Sequence, residues 1–416
     1  MDNLTHSLAG LALGELTHRL LPVEGDPQRA STRRRLLLTS AAVASNFPDL
    51  DLVLTGLAPE PLGYLLHHRG HTHTLLYALP QALLMLAAIW LLWPAARTLL
   101  RTNGAARLGL FATTVLGLLL HLGMDAMNVY GIHPFAPFDP RWFYGDMVFI
   151  VEPVFWLALG TPLAAHVARP WLRRSFLGLL LLVPLLFTLA GFLQWASFAG
   201  LGAVWLLALV LTRRRSERTA LVAGVAVVLG FVLVQAASAG LARERVAADL
   251  RGADPQLRIL DTALSAFPAN PLCWTVVSVA AEGADAYRVR RGVLSLAPGI
   301  VPVSACPFMI HGEYVGNGNG KAGAGLDWTW EERGSRARLQ ALRVADCRVD
   351  AWLRFARTPS LAGGYATDVR YGPHGSHNFS TLPYAAQAQA QAQASSPCPS
   401  PLPRWGYPRA DLLGLP

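Results

Sequence analysis

Eight apolar runs, at about 4–21, 36–57, 74–93, 107–130, 148–168, 174–193, 197–212 and 219–241, constrain this chain more than any other feature. Each is long enough, or nearly so, to cross a hydrocarbon core of ~30 Å, where every backbone N–H and C=O must be paired within the protein. Helices meet that demand with local bonds. The first 241 residues are therefore expected to form an α-helical polytopic membrane domain of about eight spans. The first run lacks the basic n-region and small-residue cleavage site of a signal peptide and reads as a retained helix, although Glu15, His18 and Arg19 make it marginal as a span. With 53% hydrophobic and 15% charged residues among 416, the whole chain is too apolar for an ordinary soluble protein.

A formal net charge of +9 does not mark a nucleic-acid binder here, because the arginines fall in short groups between the apolar runs and form no single stripe. They read as topology signals. Alternate connections carry Arg29, Arg33, Arg34 and Arg35, then Arg97 and Arg101, then Arg169, Arg173 and Arg174, then Arg213, Arg214, Arg215 and Arg218. That makes thirteen, against only Arg69 and Arg141 in the intervening connections. Short cytoplasmic loops are enriched in arginine, so both termini are expected to face outward.

The stretch His67-His68-Arg69-Gly70-His71-Thr72-His73-Thr74 sets four imidazoles in seven residues directly before an apolar run. Ionisable groups are costly there, and imidazole is the commonest metal ligand in proteins. Asp49 and Asp51 follow Pro48, which disfavours helix before it and implies a broken segment lining an enclosed cavity. His121 and Asp125 lie four apart, so a helix puts them on one face, as chelation requires. His6 stands near the start. With both termini outside, all of these residues converge on the outer leaflet. His6, Asp49, Asp51, His68, His73, His121 and Asp125 are thus the expected metal ligands, for one or two divalent ions, zinc first, or manganese or iron in a two-metal site.

Four motifs make the first 160 or so residues resemble the membrane-bound, metal-dependent hydrolases, a family also labelled LexA-binding and inner-membrane-associated. They are Thr5-His6-Ser7-Leu8-Ala9-Gly10, Pro48-Asp49-Leu50-Asp51, His68-Arg69-Gly70-His71-Thr72-His73-Thr74-Leu75, and His121 with Asp125 before Tyr130-Gly131. The resemblance maps the recurring histidines of the signature onto His68 and His73, leaving His67 and His71 as extras. It implies a bacterial inner (cytoplasmic) membrane protein, which the apolar runs and the arginine count make multi-pass with periplasmic termini. Asp139, Asp146 and Glu152-Pro153 resemble the acidic segment after the third motif. Asp49, Arg69 and Glu152 are the candidates for catalytic roles, Arg69 for its fit to a phosphate. Asp146 or Glu152 is expected to hydrogen-bond a ligating histidine.

From 242 to 384 the pattern changes to a soluble α+β or β-rich domain, with strand-like alternation at 273–281, 286–294, 347–355 and 365–371. The Gly-rich loop 311–325 could cradle a phosphate but matches neither the Walker nor the dinucleotide pattern and reads as a flexible surface loop, and His374 and His377 read as exposed loop residues. All four cysteines, 273, 306, 347 and 398, fall after the membrane part, which predicts at least one disulfide and an exported domain. The tail, 385–416, reads as low-complexity and disordered.

These features predict an inner-membrane metal-dependent hydrolase working on a phosphoester or lipid-linked substrate at the outer leaflet, with membrane lipid as partner, no nucleic acid, and no protein partner specified. The alternatives are a metal or proton transporter and a non-catalytic binding or scaffold protein. Against transport, no inner-leaflet ligand set continues a path except Glu15 and His18.

Overall fold

Helices fill the chain up to Ala253 and antiparallel sheet follows, in a computed structural model that describes residues 1–307, 325–372, 377–385 and 403–415. His374, Cys398 and the Gly-rich loop apart from Gly325 lie outside the described residues. The helices are α1 (Asn3–Leu20), α2 (Pro27–Ala44), α3 (Leu62–His67), α4 (Leu75–Leu92), α5 (Pro94–Thr102) and α6 (Gly104–Ala126). After these come α7 (Pro153–Ala165), α8 (Pro170–Leu189), α9 (Trp195–Arg214) and α10 (Glu217–Ala253).

Among the described residues, five helices are long and apolar enough to cross a membrane: α4, α6, α8, α9 and α10. The other expected spans differ for local reasons. Charges interrupt α1 at Glu15 and Arg19 and open α2 at Arg29, and α7 has only 13 residues. The run read as one span over 36–57 is two elements. Its helix α2 ends at Ala44, the Asn46 amide bonds back to the Ala42 carbonyl at 2.8 Å, and Phe47–Leu57 continues as a 3-10 helix through Pro48.

Two compact units divide the chain. The first comprises Met1–Leu50, His71–Pro134 and Phe149–Leu233; the second comprises Asp51–Gly70, Phe135–Val148 and Val234–Pro416. The expected domain boundary at 241 thus falls within α10, which passes from one unit into the other without a break.

In the first unit, small residues let helices approach closely. A Cβ on Gly10 would lie 2.6 Å from the Ala41 carbonyl, and one on Gly14 2.6 Å from the Leu37 carbonyl, so α1 packs backbone to backbone on α2. Gly117 does the same for α6, where a Cβ would meet the Ala44 methyl at 2.7 Å. Four residues toward the N-terminus of α6, Thr113 and Ser40 share a hydrogen bond of 2.6 Å.

The second unit carries a four-stranded antiparallel meander, β1 (Arg258–Phe267), β2 (Asn270–Glu282), β3 (Ala286–Ser295) and β4 (Leu326–Ser335), in that spatial order. Its inner face, including Leu264, Trp274, Val276 and Leu294, packs on Ala239, Ala242, Val246 and Leu250 of α10. A second sheet joins β5 (Pro359–Ala362), β6 (Tyr365–Asp368) and β7 (Leu382–Pro383). The strand expected over 347–355 is a helix, α12 (Cys347–Leu353), which follows α11 (Arg336–Ala345). Asp346 caps it through the Arg348 N–H, and Val349, Ala351, Trp352 and Leu353 are buried, a helical stripe in which 349, 351 and 353 also read as alternation. Cys273 and Cys306 form the expected disulfide. Within the tail read as disordered, residues 403–415 are ordered instead: Trp405 is buried and donates its indole N–H to the Leu66 carbonyl at 2.8 Å.

A buried ionic network crosses this unit. Arg357 makes two bonds to Asp146, at 2.8 and 2.9 Å, and two to Asp261, at 2.7 and 3.0 Å, with its guanidinium 4.1 Å from the Tyr144 ring centre. Burial alone would raise Asp261, but the Arg357 charge and hydrogen bonds hold its carboxyl at about 2. Since that is below the ordinary 3.8, ionised Asp261 stabilises the fold above about pH 4, and the contribution is lost as pH falls toward 2. Asp261→Asn should therefore lower stability at pH 7 and flatten its decline between pH 4 and 2, as read by urea titration of the full chain in detergent.

Candidate metal centre

Four buried side chains in the first unit, Asp49, His73, His121 and Asp125, each present one donor atom within 4.8 Å of all the others. Their positions follow from the local sequence. His121 and Asp125 share the α6 face that Thr113 and Gly117 press against α2. His73 closes a 3-10 turn, His71–His73, immediately before Thr74, whose hydroxyl caps α4 by accepting the Tyr77 N–H at 3.1 Å. Asp49 lies in the first turn of the 3-10 helix that replaces the end of the expected span.

The two Nε2 atoms of His73 and His121 are 3.0 Å apart. Asp49 Oδ1 is 3.5 Å from the first and 3.6 Å from the second, and Asp125 Oδ2 is 3.2 and 3.7 Å from them. A tetrahedral ion with ligands at ~2.1 Å separates them by ~3.4 Å, the centre of this range. Two imidazoles and two carboxylates also form a donor set that zinc, manganese or iron accepts. The cluster can hold a metal ion.

Outer contacts aim each donor. The end of α2 leaves the Ser45 carbonyl free to accept, and it takes the His121 Nδ1–H at 2.8 Å, so the His121 lone pair lies on Nε2, inside the cluster. Each carboxylate has one oxygen tied outside and the other turned to the histidines. Asn3 donates to Asp49 Oδ2 at 3.2 Å; His6 Nε2 meets Asp125 Oδ1 at 3.2 Å, beside the contact of the Met1 amino group with the same oxygen. His6 reaches Asp125 because Gly10 and Gly14, at helical spacing behind it, seat α1 on α2, and its ring stacks on His121 with centroids 4.0 Å apart. Its neighbours are engaged as well: Trp156 donates to the Thr5 hydroxyl at 2.7 Å, and Asn46 to Ser7 at 3.1 Å.

Of the seven expected ligands, the first unit holds five. Asp49, His73, His121 and Asp125 form the cluster, and His6 flanks it. Asp51 and His68 belong to the second unit, where Asp51 Oδ1 lies 3.1 Å from His68 Nδ1. His71 is exposed and packs on the Tyr77 ring. Arg69 is buried and holds a left-handed backbone (φ 56°), which costs a side chain about 1–2 kcal/mol. Asp146 does not serve a ligating histidine, because Arg357 and Arg243 occupy its carboxylate. Glu152 is buried and caps α7, accepting the Val154 N–H at 3.2 Å. Asp139 is bound by Arg141 in an exposed pair. Asn3 and the Ser45 carbonyl were not foreseen. The broken-helix signal at Asn46-Phe47-Pro48 could have pointed to a free carbonyl, whereas nothing in the sequence singles out Asn3.

Fold and site define a helical membrane protein with a buried His/Asp centre. Residues 1–198 are similar to a family described as YdjM inner membrane protein, and this match together with the apolar helices supports membrane localisation. Over 159 residues the chain is 29% identical to a Bacillus subtilis (strain 168) protein described as uncharacterized protein YfhP, covering 38% of this chain and 44% of that relative. The chain therefore matches less than half the length of this curated relative. No solved structure matches it significantly.

Proposed function

We propose that this protein is an inner-membrane metal-dependent hydrolase that cleaves a phosphoester or lipid-linked substrate at the outer leaflet. The observation that carries the proposal is the set of four buried donors at tetrahedral spacing, with both carboxylates and His121 already oriented by outer contacts. Such preorganisation is what a metal site requires, and in its absence two buried aspartates would be a large desolvation cost. Asp49, His73, His121 and Asp125 are assigned as ligands of one divalent ion, zinc first. Bound there, the ion supplies Lewis-acid polarisation of a substrate oxygen and lowers the pKa of water. His6 and Asn3 hold the two carboxylates in place. Arg69 is assigned to substrate charge, because a guanidinium matches a phosphate through paired N–H bonds; Glu152 keeps its capping place at α7.

Counted over all eight expected spans, the thirteen-to-two arginine asymmetry supports periplasmic termini and a periplasmic sheet domain; crossings by the five candidate helices alone would leave the termini on opposite sides. Alkaline phosphatase fused after Ala253 should be active in cells. Activity there only from a cytoplasm-dependent reporter would reverse the topology and move the site to the other leaflet.

Hydrolysis itself is tested by incubating purified protein, metal-loaded or chelated, with soluble phosphoesters and with phospholipid vesicles. Metal-dependent product release is expected. Stoichiometric metal without turnover of any of these substrates would overturn the hydrolase reading and favour transport.

A further inference from the structure

The 3-10 segment Phe47–Leu57 turns an almost wholly apolar surface outward after Asp49. Leu50, Leu52, Val53, Leu54 and Leu57 are exposed, Val53 to 80% and Leu57 to 71%. Its one charged residue beyond Asp49, Asp51, is turned inward and sits 3.1 Å from His68. The Thr55 hydroxyl is spent locally on the Leu52 carbonyl, at 2.7 Å. A loop facing water shows the reverse arrangement, with polar groups out and apolar groups in. The sheet domain follows that ordinary rule: among the described residues after Ala253, only Ile300, Val344 and Phe379 are large apolar side chains with comparable exposure, and they are scattered.

We propose that Leu50–Leu57 lies in the interfacial layer of the bilayer, with Leu52, Val53, Leu54 and Leu57 among the acyl chains. Chain continuity identifies the occupant as lipid. The excursion Asp51–Gly70 leaves directly from Leu50 of the helical unit and returns at His71, four residues before α4, a candidate span, begins. At ~2.0 Å per residue, a 3-10 helix of 11 residues extends about 22 Å, too short for a ~30 Å core, so it dips into the membrane without crossing it. Its backbone bonds are made internally, as lipid demands. Burying these side chains in lipid while Asp51 faces His68 explains why the polarity of the segment is inverted. The proposal is independent of the hydrolase reading.

The test uses the full chain reconstituted in phosphatidylethanolamine and phosphatidylglycerol vesicles. Val53→Cys carries an environment-sensitive fluorophore, and Ile300→Cys, also 80% exposed, serves as the matched control. The described native cysteines are not free, and unlabelled parent protein sets the background. The Val53 probe should emit to the blue of the control, be quenched by doxyl groups on the lipids, and lose the iodide quenching that the control keeps. Leu57→Cys should repeat the result if the Val53 variant is unstable. Two outcomes would overturn the proposal: iodide quenching equal to the control, or a blue-shifted probe insensitive to doxyl lipids, which would mark a protein occupant such as a second copy.

Discussion

Replacing His73 or His121 with alanine should leave the purified protein without stoichiometric metal while its helical content stays near that of the parent. Apparent affinities of four-ligand zinc sites correspond to about 10–16 kcal/mol, so losing one ligand removes roughly a quarter, a weakening on the order of a hundredfold to a thousandfold. Asp125→Ala should act alike, because Asp125 Oδ2 is 3.2 Å from His73 Nε2. Replacing His71, which lies outside the cluster, should leave metal content unchanged. Elemental analysis of the variants against a zinc-buffer series reads both results. Full metal retention in His73→Ala and His121→Ala together would remove the cluster as the binding site.

The second large effect concerns the sheet domain. Arg357→Ala should destabilise the second unit by about 3–5 kcal/mol, since it leaves the buried Asp146 carboxylate without its paired N–H bonds and half-buried Asp261 with Arg409, at 3.4 Å, as its remaining cation. Arg243 touches Asp146 at 3.2 Å but is substantially exposed, and screening limits what it can replace. Adding Asp146→Ala to Arg357→Ala should recover part of the loss, because one of the unpaired charges is then gone. Urea unfolding of the full chain in detergent checks this. A shift within about 0.5 kcal/mol of the parent, the scale of an ordinary surface change, would show that the network contributes nothing to stability.

Much of the centre was legible because its donors obey short-range rules. His121 and Asp125 are one helical turn apart, and His73 stands directly before a capped apolar helix, so periodicity alone put them on usable faces. The boundary between the compact units was not legible. Asp49 and Asp51 are two residues apart in a single 3-10 element, yet the compact units separate between Leu50 and Asp51, a handover no hydropathy pattern records. Hydropathy likewise counted 36–57 as one span, since it weighs side chains and not the backbone break at Ser45 that frees a carbonyl for His121. Asp146 looked like a partner for the histidines because it is acidic and close in sequence, whereas its partner, Arg357, lies 211 residues away. The helix at Cys347–Leu353 was read as a strand because seven residues with an apolar stripe satisfy both periods, and the deciding signal was the Asp346 cap.

The most direct test of the metal centre is X-ray absorption at the metal edge of the wild-type protein, purified without chelators. One ion per chain should be seen, surrounded by two imidazole nitrogens and two carboxylate oxygens at ~2.0–2.2 Å. A protein that carries no stoichiometric ion after zinc reconstitution, or whose ion shows a sulfur scatterer at ~2.3 Å, would contradict the assignment of Asp49, His73, His121 and Asp125 as its ligands.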